Sequence, residues 1–490
     1  MRPLLILLAL LSVSCRQAHH PQQAAIDRVV RAAFATGGSA GLGVSIVQGD
    51  EVIYEAHLGL ADASSAIPVT EQTLWYISST SKSLTGFGLA LLVEDGLVDA
   101  ESPISDYLPD AEWPSGYDAA GSTVADFLAH THGLGNGPLV LSAAFTGEFP
   151  ESDFPRLLQY NTPREDRSLA YSNLGYNVAS MVIERVTGLS WKSFLDERVL
   201  SPVGMRDTHA RTSGINRDRI AKPHRVLVDG SLATMPFVKT DRTMNAAGGT
   251  LSTIGDLTRW VRVQMNGGML NGDRVFPADV VANAHRILRP QDRQFAFFQR
   301  DGWGMGFDIG SYREQHMVSR FGGYQGTRSH ISFLPEAGIG VVAQVNGPAG
   351  SAITDIVAAY AFDVLQGRAD ADSLADARIA ELAAQTAELP DRVRQFEQIQ
   401  EQRDQPLPHP LTAYAGSYQD PALGVVDVET RGDTLYMHWG VLSGPMTVFD
   451  ATTNAMRHEL LGGGSVARFV FDGQDTATAI EMFDRRLTRR

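Results

Sequence analysis

The order of β-prone and helix-prone segments is the feature that most constrains the fold of this 490-residue chain. Residues 43–47 and 52–56 are β-prone and flank a Gly-Asp turn, which predicts an antiparallel hairpin. Residues 330–344 predict a second hairpin, and the stretch from 79 to 265 between them is rich in helical patterns. Strands at both ends with helices between them predict an α+β domain, an antiparallel sheet flanked by helices with a helical insert.

A change of composition divides the rest of the chain. Residues 371–407 are rich in Ala, Glu, Gln and Arg and end in a Pro-rich stretch, which indicates a helical or loosely ordered linker. Residues 408–490 alternate apolar and polar residues between frequent turn signals. The sequence therefore predicts a main domain at 16–370, the linker, and a small β-rich domain at 408–490, whose residues 414–418 resemble those of a known small barrel-like domain.

The first fifteen residues have the pattern of an export signal. Arg2 precedes a short apolar run, Leu4 to Val13, which is too short to span a bilayer as a membrane helix. The run leads to Cys15, the only cysteine, in a stretch that resembles a bacterial lipoprotein cleavage site, although Ser12 stands where a branched apolar residue is usual. We expect an exported protein, periplasmic or lipid-anchored through Cys15. The alternative is an ordinary cleaved signal with an incidental cysteine.

The charge balance and the cysteine content exclude several function classes. The formal net charge is -15, so the chain has no basic excess to neutralise phosphates, and we expect no nucleic-acid partner. A single cysteine at the signal leaves no pair for an internal disulfide and no thiolate for catalysis in the mature chain.

A serine and a lysine at the start of a predicted helix can form a nucleophile and its base. The segment 75–83 predicts a helix start, and Ser79 and Lys82 are three residues apart, which places them on one helical face. A serine hydroxyl needs a neighbouring base to become a nucleophile. A lysine can be that base where burial or another cation favours its neutral form. The Ser-x-x-Lys pair alone is a weak signal, because it recurs by chance in a serine-rich chain.

The surrounding residues strengthen this interpretation. The chain resembles the serine β-lactamase and penicillin-binding protein superfamily, and most closely its class C β-lactamase and esterase branch, whose first motif is Ser-x-x-Lys. The resemblance runs from Gly41 to Gly347 and rests on segments that follow one another in the family's order: 76–84, 91–96, 102–109, 125–134, 171–176, 200–208 and 247–253.

The resemblance implies a role for each motif residue. Ser79 is the nucleophile, and Lys82 and Tyr171 exchange its proton, Tyr171 belonging to the second motif, Tyr-x-Asn. Asn173 of that motif holds Lys82 and a substrate amide. Neighbouring cations can lower the pKa of a phenol enough for it to act as a base. On residue type alone, Tyr171 would be a half-buried core tyrosine.

The third motif departs from the family. Arg320-Phe321-Gly322 stands where Lys-Thr-Gly or His-x-Gly is expected. Arg320 keeps the positive charge, can bind a carboxylate and can lower the pKa of Tyr171, but it cannot titrate. Phe321 lacks the hydroxyl used in β-lactam recognition, so we expect weak β-lactamase activity. Gly322 and Gly323 lie in the substrate and oxyanion region, where the N–H groups of Gly323 and Ser79 would form the oxyanion hole; alternatively, these glycines only shape a strand connection.

These motifs predict a serine hydrolase that acts on a small ester, amide or D-amino-acid peptide through a Ser79 acyl-enzyme. The alternatives are a β-lactamase or an acyltransferase with the same chemistry, or a non-catalytic envelope protein that binds peptidoglycan or a partner. The resemblance gives His130 and His132 structural roles rather than metal ligation, and it implies no metal and no cofactor. Specificity is expected in the loops around 139–166 and 208–243.

Overall fold

The computed structural model describes residues 20–403 and 405–490 of the chain. The predicted signal segment, 1–15, and with it Cys15, lies outside the described residues. Within the described ranges, no helix combines the length and the apolar composition needed to cross a membrane.

A nine-stranded antiparallel sheet forms the centre of the main domain. In chain order its strands are β1 (Gly41–Gln48), β2 (Glu51–Asp62), β3 (Ile67–Pro68), β4 (Arg289–Phe295), β5 (Phe298–Trp303), β6 (Asp308–Tyr312), β7 (Gln315–Tyr324), β8 (Thr327–Leu334) and β9 (Ile339–Val345). Their spatial order is β4-β5-β6-β7-β8-β9-β1-β2-β3. The two predicted hairpins are β1–β2 and β8–β9, and β1 pairs with β9 from Leu42↔Val345 to Gln48↔Ile339. The two ends of the predicted α+β domain therefore meet inside one sheet.

Fifteen α-helices are found in the described residues. They are α1 (Gln23–Phe34), α2 (Ser81–Glu94), α3 (Ile104–Tyr107), α4 (Val124–Leu128), α5 (Pro138–Leu141), α6 (Phe154–Leu157), α7 (Leu174–Thr187), α8 (Trp191–Leu195), α9 (Ser201–Val203), α10 (Ile254–Met265), α11 (Ala278–His285), α12 (Gly350–Leu365), α13 (Ala371–Ala387), α14 (Leu389–Arg403) and α15 (Leu411–Tyr414). Helices α2 to α11 form the insert between β3 and β4, together with short turns and strands.

The sheet is buried on both faces, as the residues of strand β9 illustrate. All seven of its residues are buried, and successive side chains of a strand point to opposite faces. Val341 and Ala343 belong to a core with α1 and α12, whereas Val342 belongs to the core of the helical insert. Continuous burial, rather than alternation, is the pattern of a strand covered on both sides. The predicted α+β class is confirmed.

The helix that carries the Ser-x-x-Lys pair begins slightly later than the sequence predicts. Trp75–Tyr76 form a short strand paired with Leu251–Ser252, and Ser78–Thr80 form a 3-10 turn. The α-helix α2 begins at Ser81 and is buried through to Leu92. A helix surrounded by protein is apolar on all sides, which agrees with its run of Leu, Phe, Gly and Ala. Ser79 thus lies in the turn that leads into a central helix.

The segment predicted as a linker, 371–407, consists largely of α13 and α14. Ala371, Ala375 and Leu382 of α13 are buried in the core shared with α1 and α12. Arg28 of α1 forms ion pairs with Asp372 and Asp376. Helix α14 has no buried residue. The first half of the segment therefore packs as part of the main domain, because its small apolar residues fit between two helices.

The C-terminal module is a closed eight-stranded barrel. Its strands are β10 (Gly416–Asp420), β11 (Gly424–Arg431), β12 (Thr434–Trp439), β13 (Leu442–Asp450), β14 (Ala455–His458), β15 (Ser465–Val470), β16 (Ala479–Met482) and β17 (Arg485–Arg489). Closure leaves no unpaired sheet edge. Its interior holds large apolar side chains, among them Trp439, Tyr418 and Phe469.

The barrel contacts the main domain beside two segments that border the site described below. The N–H of Val441 donates to the carbonyl oxygen of Thr146 (2.8 Å) at the end of a π-helical turn, Ser142–Thr146. Gly440 has φ 57°, and a Cβ there would lie 2.0 Å from the same carbonyl oxygen. Gly462 packs on the side chain of Gln325 in the β7–β8 turn. The barrel therefore braces both segments.

Two helical glycines make a matched test of packing in the main domain. A Cβ on Gly86 of α2 would lie 2.3 Å from the Met305 carbonyl oxygen, whereas a Cβ on Gly255 of α10 would meet nothing within 4 Å. We expect Gly86→Ala to lower the free energy of unfolding by about 1–3 kcal/mol through overpacking. Gly255→Ala should leave it unchanged or raise it by up to about 1 kcal/mol through helix propensity. Urea unfolding of both variants measures the difference; equal effects would contradict the packing.

Candidate active site

Lys82 is the fully buried centre of the site. Its Nζ donates to Ser79 Oγ (3.1 Å), to Asn173 Oδ1 (2.7 Å) and to the Ala247 carbonyl oxygen (2.5 Å). An ammonium group has three N–H donors, so these three acceptors use its full capacity. When the amine is neutral, two acceptors can keep their hydrogen bonds while the lone pair accepts from Ser79. The structure thus brings the first motif and Asn173 of the second motif together.

Tyr171 completes the contacts of the serine oxygen. Its hydroxyl donates to Ser79 Oγ (2.7 Å) and accepts from Arg320 Nη2 (3.0 Å). Its ring lies 4.9 Å from Lys82 Nζ and is 43% exposed, so the phenol forms part of the cleft wall. Ser79 Oγ is therefore in hydrogen-bond range of both groups that could take its proton.

The surroundings of Lys82 and Tyr171 lower the pKa of both side chains towards neutral pH. Burial lowers the pKa of Lys82 to about 8, and the Arg320 charge acts in the same direction, against the Tyr171 phenolate. Desolvation of the phenol hydroxyl by the groups around it would alone raise the pKa of Tyr171, but the charges of Lys82 and Arg320 lower the pKa to about 8. Because each charge shifts the other, the two groups titrate as a pair. The pair can therefore accept and return a proton near neutrality.

Arg320 is buried and donates hydrogen bonds to three groups. Its Nε donates to the Ser79 carbonyl oxygen (2.9 Å) and its Nη1 to Asp308 Oδ2 (3.0 Å), in addition to the bond to Tyr171. Asp308 also lies 3.3 Å from Arg300 Nε. The guanidinium thus holds the backbone of Ser79 and the phenol of Tyr171 in one geometry. Phe321, the next residue, packs with its ring 4.6 Å from that of His330, in the core shared with α1 and α12.

The glycines of the third motif bring strand β7 against the nucleophile. A Cβ on Gly322 would lie 2.1 Å from the Ile77 carbonyl oxygen and 2.9 Å from Ser79 N, so only glycine permits this approach. Around Gly323 the nearest atom to such a Cβ is the Thr327 carbonyl oxygen at 3.7 Å. The pairing of β7 with β6 ends at Ser319, so both glycines lie beyond the paired part of that edge.

The two histidines of the 125–134 segment pack around the site. His130 has φ 63°, accepts from Ser172 N through Nδ1 (3.2 Å), and lies 4.7 Å from the Tyr171 ring. His132 stacks on Phe127 at 4.7 Å. Burial lowers the pKa of His130 well below its usual range and that of His132 to about 3. In the described part of the chain, no group of three His, Cys, Asp or Glu side chains could hold a metal ion.

Several contacts of the site carry no clear signal in the sequence. Asn136 Oδ1 accepts from Ser172 Oγ and Asn173 N (2.9 Å each) and from Leu174 N (3.3 Å), so it fixes the turn that carries Tyr171. An asparagine between two glycines is a turn signal that could have drawn attention to it. Asp308 and the Ala247 carbonyl oxygen have no such signal.

Comparison with known proteins identifies the family. The sequence model of the Beta-lactamase family matches residues 26–366, which include Ser79, Lys82, Tyr171, Asn173 and Arg320. The chain belongs to the Beta-lactamase family. The resemblance to serine β-lactamases and penicillin-binding proteins is thereby confirmed.

Relatives in the Beta-lactamase family carry different names. An unguisins hydrolase, ungD', of Aspergillus campestris is 27% identical over 328 residues, which cover 62% of this chain and 58% of that protein. The chain spans the same 58% of a second unguisins hydrolase, from Aspergillus violaceofuscus, and thus less than two thirds of either relative. Penicillin-binding protein 4 of Amycolatopsis lactamdurans is 25% identical over 325 residues, 63% of this chain and 81% of that protein.

Solved structures share the fold. The octameric penicillin-binding protein homologue from Pyrococcus abyssi has a TM-score of 0.58 at 17% identity and covers 95% of this chain and 99% of its own. The match over 95% of the chain extends beyond the family region into the barrel. The D-amino acid amidase from Ochrobactrum anthropi SV3 in complex with D-phenylalanine has a TM-score of 0.57 at 21% identity, over 74% of this chain and 99% of its own.

The role of Arg320 in the titration of Tyr171 can be measured directly. We expect Arg320→Gln to raise the pKa of Tyr171 by about 1 to 3 pH units, because a cation close to the phenolate is lost. Arg320→Lys keeps the charge and should shift the pKa much less. Titration of ¹³Cζ-labelled tyrosine by NMR, with Tyr171→Phe to assign the signal, gives the values. Equal pKa values in the Gln and Lys variants would contradict the electrostatic role.

Proposed function

We propose that this chain is a serine hydrolase in which Ser79 forms an acyl-enzyme with a small ester, an amide or a D-amino-acid peptide. The observation that carries the proposal is the pair of hydrogen bonds to Ser79 Oγ, from Tyr171 Oη at 2.7 Å and Lys82 Nζ at 3.1 Å. Both partners have a pKa lowered to about 8, which suits proton transfer near neutrality.

The reaction follows from these contacts. Ser79 Oγ attacks the acyl carbon as its proton passes to the Lys82–Tyr171 pair. The carbonyl oxygen becomes an oxyanion held by the N–H groups of Ser79 and Gly323. Collapse of this intermediate breaks the bond to the leaving group, which takes the proton from the pair. Water then attacks the acyl-enzyme, gives its proton to the same pair, and releases the acid while Ser79 recovers its hydrogen.

Several findings support this substrate class. The D-amino acid amidase and the unguisins hydrolases share the fold or the sequence of this chain, and their names describe hydrolysis. A structure of SurE with D-Leu also matches, with a TM-score of 0.54 over 95% of the chain. Phe321 gives the third motif no hydroxyl, and its ring packs away from Ser79. We therefore place ester or amide hydrolysis ahead of β-lactam hydrolysis.

A fluorophosphonate probe and a nitrophenyl ester test the nucleophile. We expect the wild type to be labelled and to cleave the ester, and Ser79→Ala to lose both. Tyr171→Phe should reduce turnover by about 10²- to 10⁴-fold, because proton transfer is lost. Ser81→Ala is the matched control, since Ser81 Oγ is buried with no hydrogen-bond partner in the described structure. Full turnover by Ser79→Ala would refute the assignment.

Intact mass spectrometry separates this function from its alternatives. After exposure to an ester, an amide and a penicillin, a hydrolase gives a transient acyl adduct and free acid. Efficient turnover of the penicillin would favour a β-lactamase, and transfer of the acyl group to an added amine would favour an acyltransferase. The absence of any adduct and of any fluorophosphonate label would favour a non-catalytic binding protein.

We also propose that the protein is exported and anchored by a lipid on Cys15. The support is the charged start, the short apolar run and the cysteine at its end. Metabolic labelling with a fatty acid should label the wild type, and Cys15→Ala should lose the label and leave the membrane fraction. Ser14→Ala, one residue earlier, is the control and should keep the label. Equal labelling of Cys15→Ala and the wild type would end the proposal.

A further inference from the structure

A second buried lysine lies close to the site, and the reaction proposed above does not use it. Lys239 is 2% exposed, and its Nζ donates to the Ala144 carbonyl oxygen. The Nζ is surrounded by the rings of Tyr324, Phe145 and Tyr76, at 4.3, 5.1 and 5.5 Å from their centroids. No carboxylate of residues 20–403 or 405–490 forms an ion pair with it. The ammonium therefore has one carbonyl acceptor and aromatic faces, but no counter-charge.

Two of the rings around this ammonium are phenols, whose hydroxyls are further hydrogen-bond donors. The rings of Tyr76 and Tyr324 are in edge contact, with their centroids 5.2 Å apart. Burial raises the pKa of each phenol, so both hydroxyls stay protonated near neutral pH. Neither hydroxyl has a hydrogen-bond partner among the described residues. The cluster of Lys239, Tyr76 and Tyr324 thus carries three donor groups, and the Ala144 carbonyl oxygen is their single acceptor among the described residues.

The position of this cluster relative to Ser79 follows from strand β7. Gly322 touches the backbone of Ser79, and Arg320, two residues earlier, binds Tyr171 on the side where the leaving group takes its proton. Tyr324 lies two residues beyond Gly322, about 7 Å further along the strand. Tyr76 lies three residues before Ser79 in the chain. In the proposed reaction, this order of residues along β7 puts the cluster away from the leaving group and on the side of the acyl chain.

We propose that Lys239, Tyr76 and Tyr324 form a subsite for a carboxylate at the far end of the acyl group. The inference rests on the proposed function and narrows its substrate class to esters or amides of acids that carry a second, anionic group. The three side chains of the cluster all donate hydrogen bonds, so a ligand group that accepts hydrogen bonds fits them. A carboxylate offers about four acceptor positions and the negative charge that Lys239 lacks as a partner. The phenols and the ammonium together make the recognition both polar and charged.

The cost of burying the Lys239 ammonium agrees with this role. A buried ammonium without a paired anion is costly, and burial lowers the pKa of Lys239 to about 7. A bound carboxylate would restore the charged form. The lysine side chain has a flexible four-carbon stem, so a small rotation moves Nζ from Ala144 to an anion at the phenol hydroxyls.

The barrel contributes to the geometry of this subsite. Ala144 and Phe145 belong to the turn Ser142–Thr146, whose last carbonyl oxygen accepts from Val441 N of the barrel. Phe145 and Val238, the neighbour of Lys239, also pack against the barrel core. The wall of the subsite is therefore fixed from the C-terminal domain.

Esters that differ only in charge test the proposal. The 4-nitrophenyl half ester of adipic acid places a carboxylate at about the required distance, 4-nitrophenyl methyl adipate is its neutral partner, and 4-nitrophenyl 6-aminohexanoate is cationic. We expect the wild type to prefer the anionic ester, and Lys239→Met to lower the ratio of anionic to neutral kcat/KM by about 10- to 100-fold. Lys239→Arg should keep much of the ratio, and Tyr324→Phe should lower it by about 3- to 10-fold.

A lysine outside the subsite provides the matched control. Lys222 pairs with Asp62 at 2.7 Å, and Lys222→Met should leave the ratio unchanged. In the wild type the ratio should fall as pH rises through about 7, because Lys239 loses its charge. The proton-transfer groups act on both esters and cancel in the ratio. This pH profile needs no variant, so it tests the subsite even where Lys239→Met fails to fold.

The outcomes separate this inference from the proposed function. If neither ester acylates Ser79, the hydrolase proposal fails; the subsite is then judged by calorimetry of the anionic ester with Ser79→Ala, with and without Lys239→Met. Binding that weakens by about tenfold or more on loss of Lys239 supports the subsite. If both esters react but the ratio is unaffected by Lys239→Met and by pH, the subsite is refuted while the hydrolase stands. Preference for the cationic ester would also overturn it.

Discussion

The structure depends on one buried ammonium group, that of Lys82. Its three acceptors come from the turn before α2, from the start of α7 and from the loop that precedes α10. A buried lysine is tolerated only where its hydrogen-bonding groups are satisfied, so each acceptor is needed to keep the other two in place. Ser79 is therefore positioned by polar contacts among segments that are far apart in the chain, and not by the helix alone.

Arg320 gives this centre a fixed second charge. A lysine or histidine at this place could exchange a proton with the substrate, whereas a guanidinium stays charged throughout the useful pH range. Its bonds to the Ser79 carbonyl oxygen, Tyr171 and Asp308 make it part of the frame. In the proposed reaction, proton exchange is then left to Lys82 and Tyr171, whose pKa values are lowered in part by the charge of Arg320. Arg320 in the altered third motif therefore supplies a positive charge but cannot exchange a proton.

The amino-acid sequence is most informative where chemistry imposes a fixed spacing. Ser79 and Lys82 are one helical turn apart, and the Tyr-x-Asn motif places Tyr171 and Asn173 on one turn, so the motifs alone predict these four residues. The hairpins and the α+β class follow from β-prone runs of the right length. Asp308, Asn136 and the Ala247 carbonyl oxygen are not predictable in this way, because they act through contacts between distant segments. The local pattern also predicts the start of α2 too early, since the pairing of Trp75–Tyr76 with Leu251–Ser252 is a long-range contact as well.

The two buried lysines near Ser79 show how the same side chain acquires different roles. Lys82 has three oxygen acceptors, and its pKa is shifted by two charged or ionisable neighbours, Tyr171 and Arg320. Its hydrogen-bonding capacity is therefore used in full by the protein itself. Lys239 has one carbonyl oxygen and three aromatic faces, which attract a cation but do not neutralise it. Both lysines are almost completely buried, but only the charge of Lys82 is balanced by enough hydrogen-bond acceptors. A site whose own residues leave a charge uncompensated is suited to a ligand that brings the opposite charge, and this difference is the reason we propose a binding role for Lys239 and a catalytic role for Lys82.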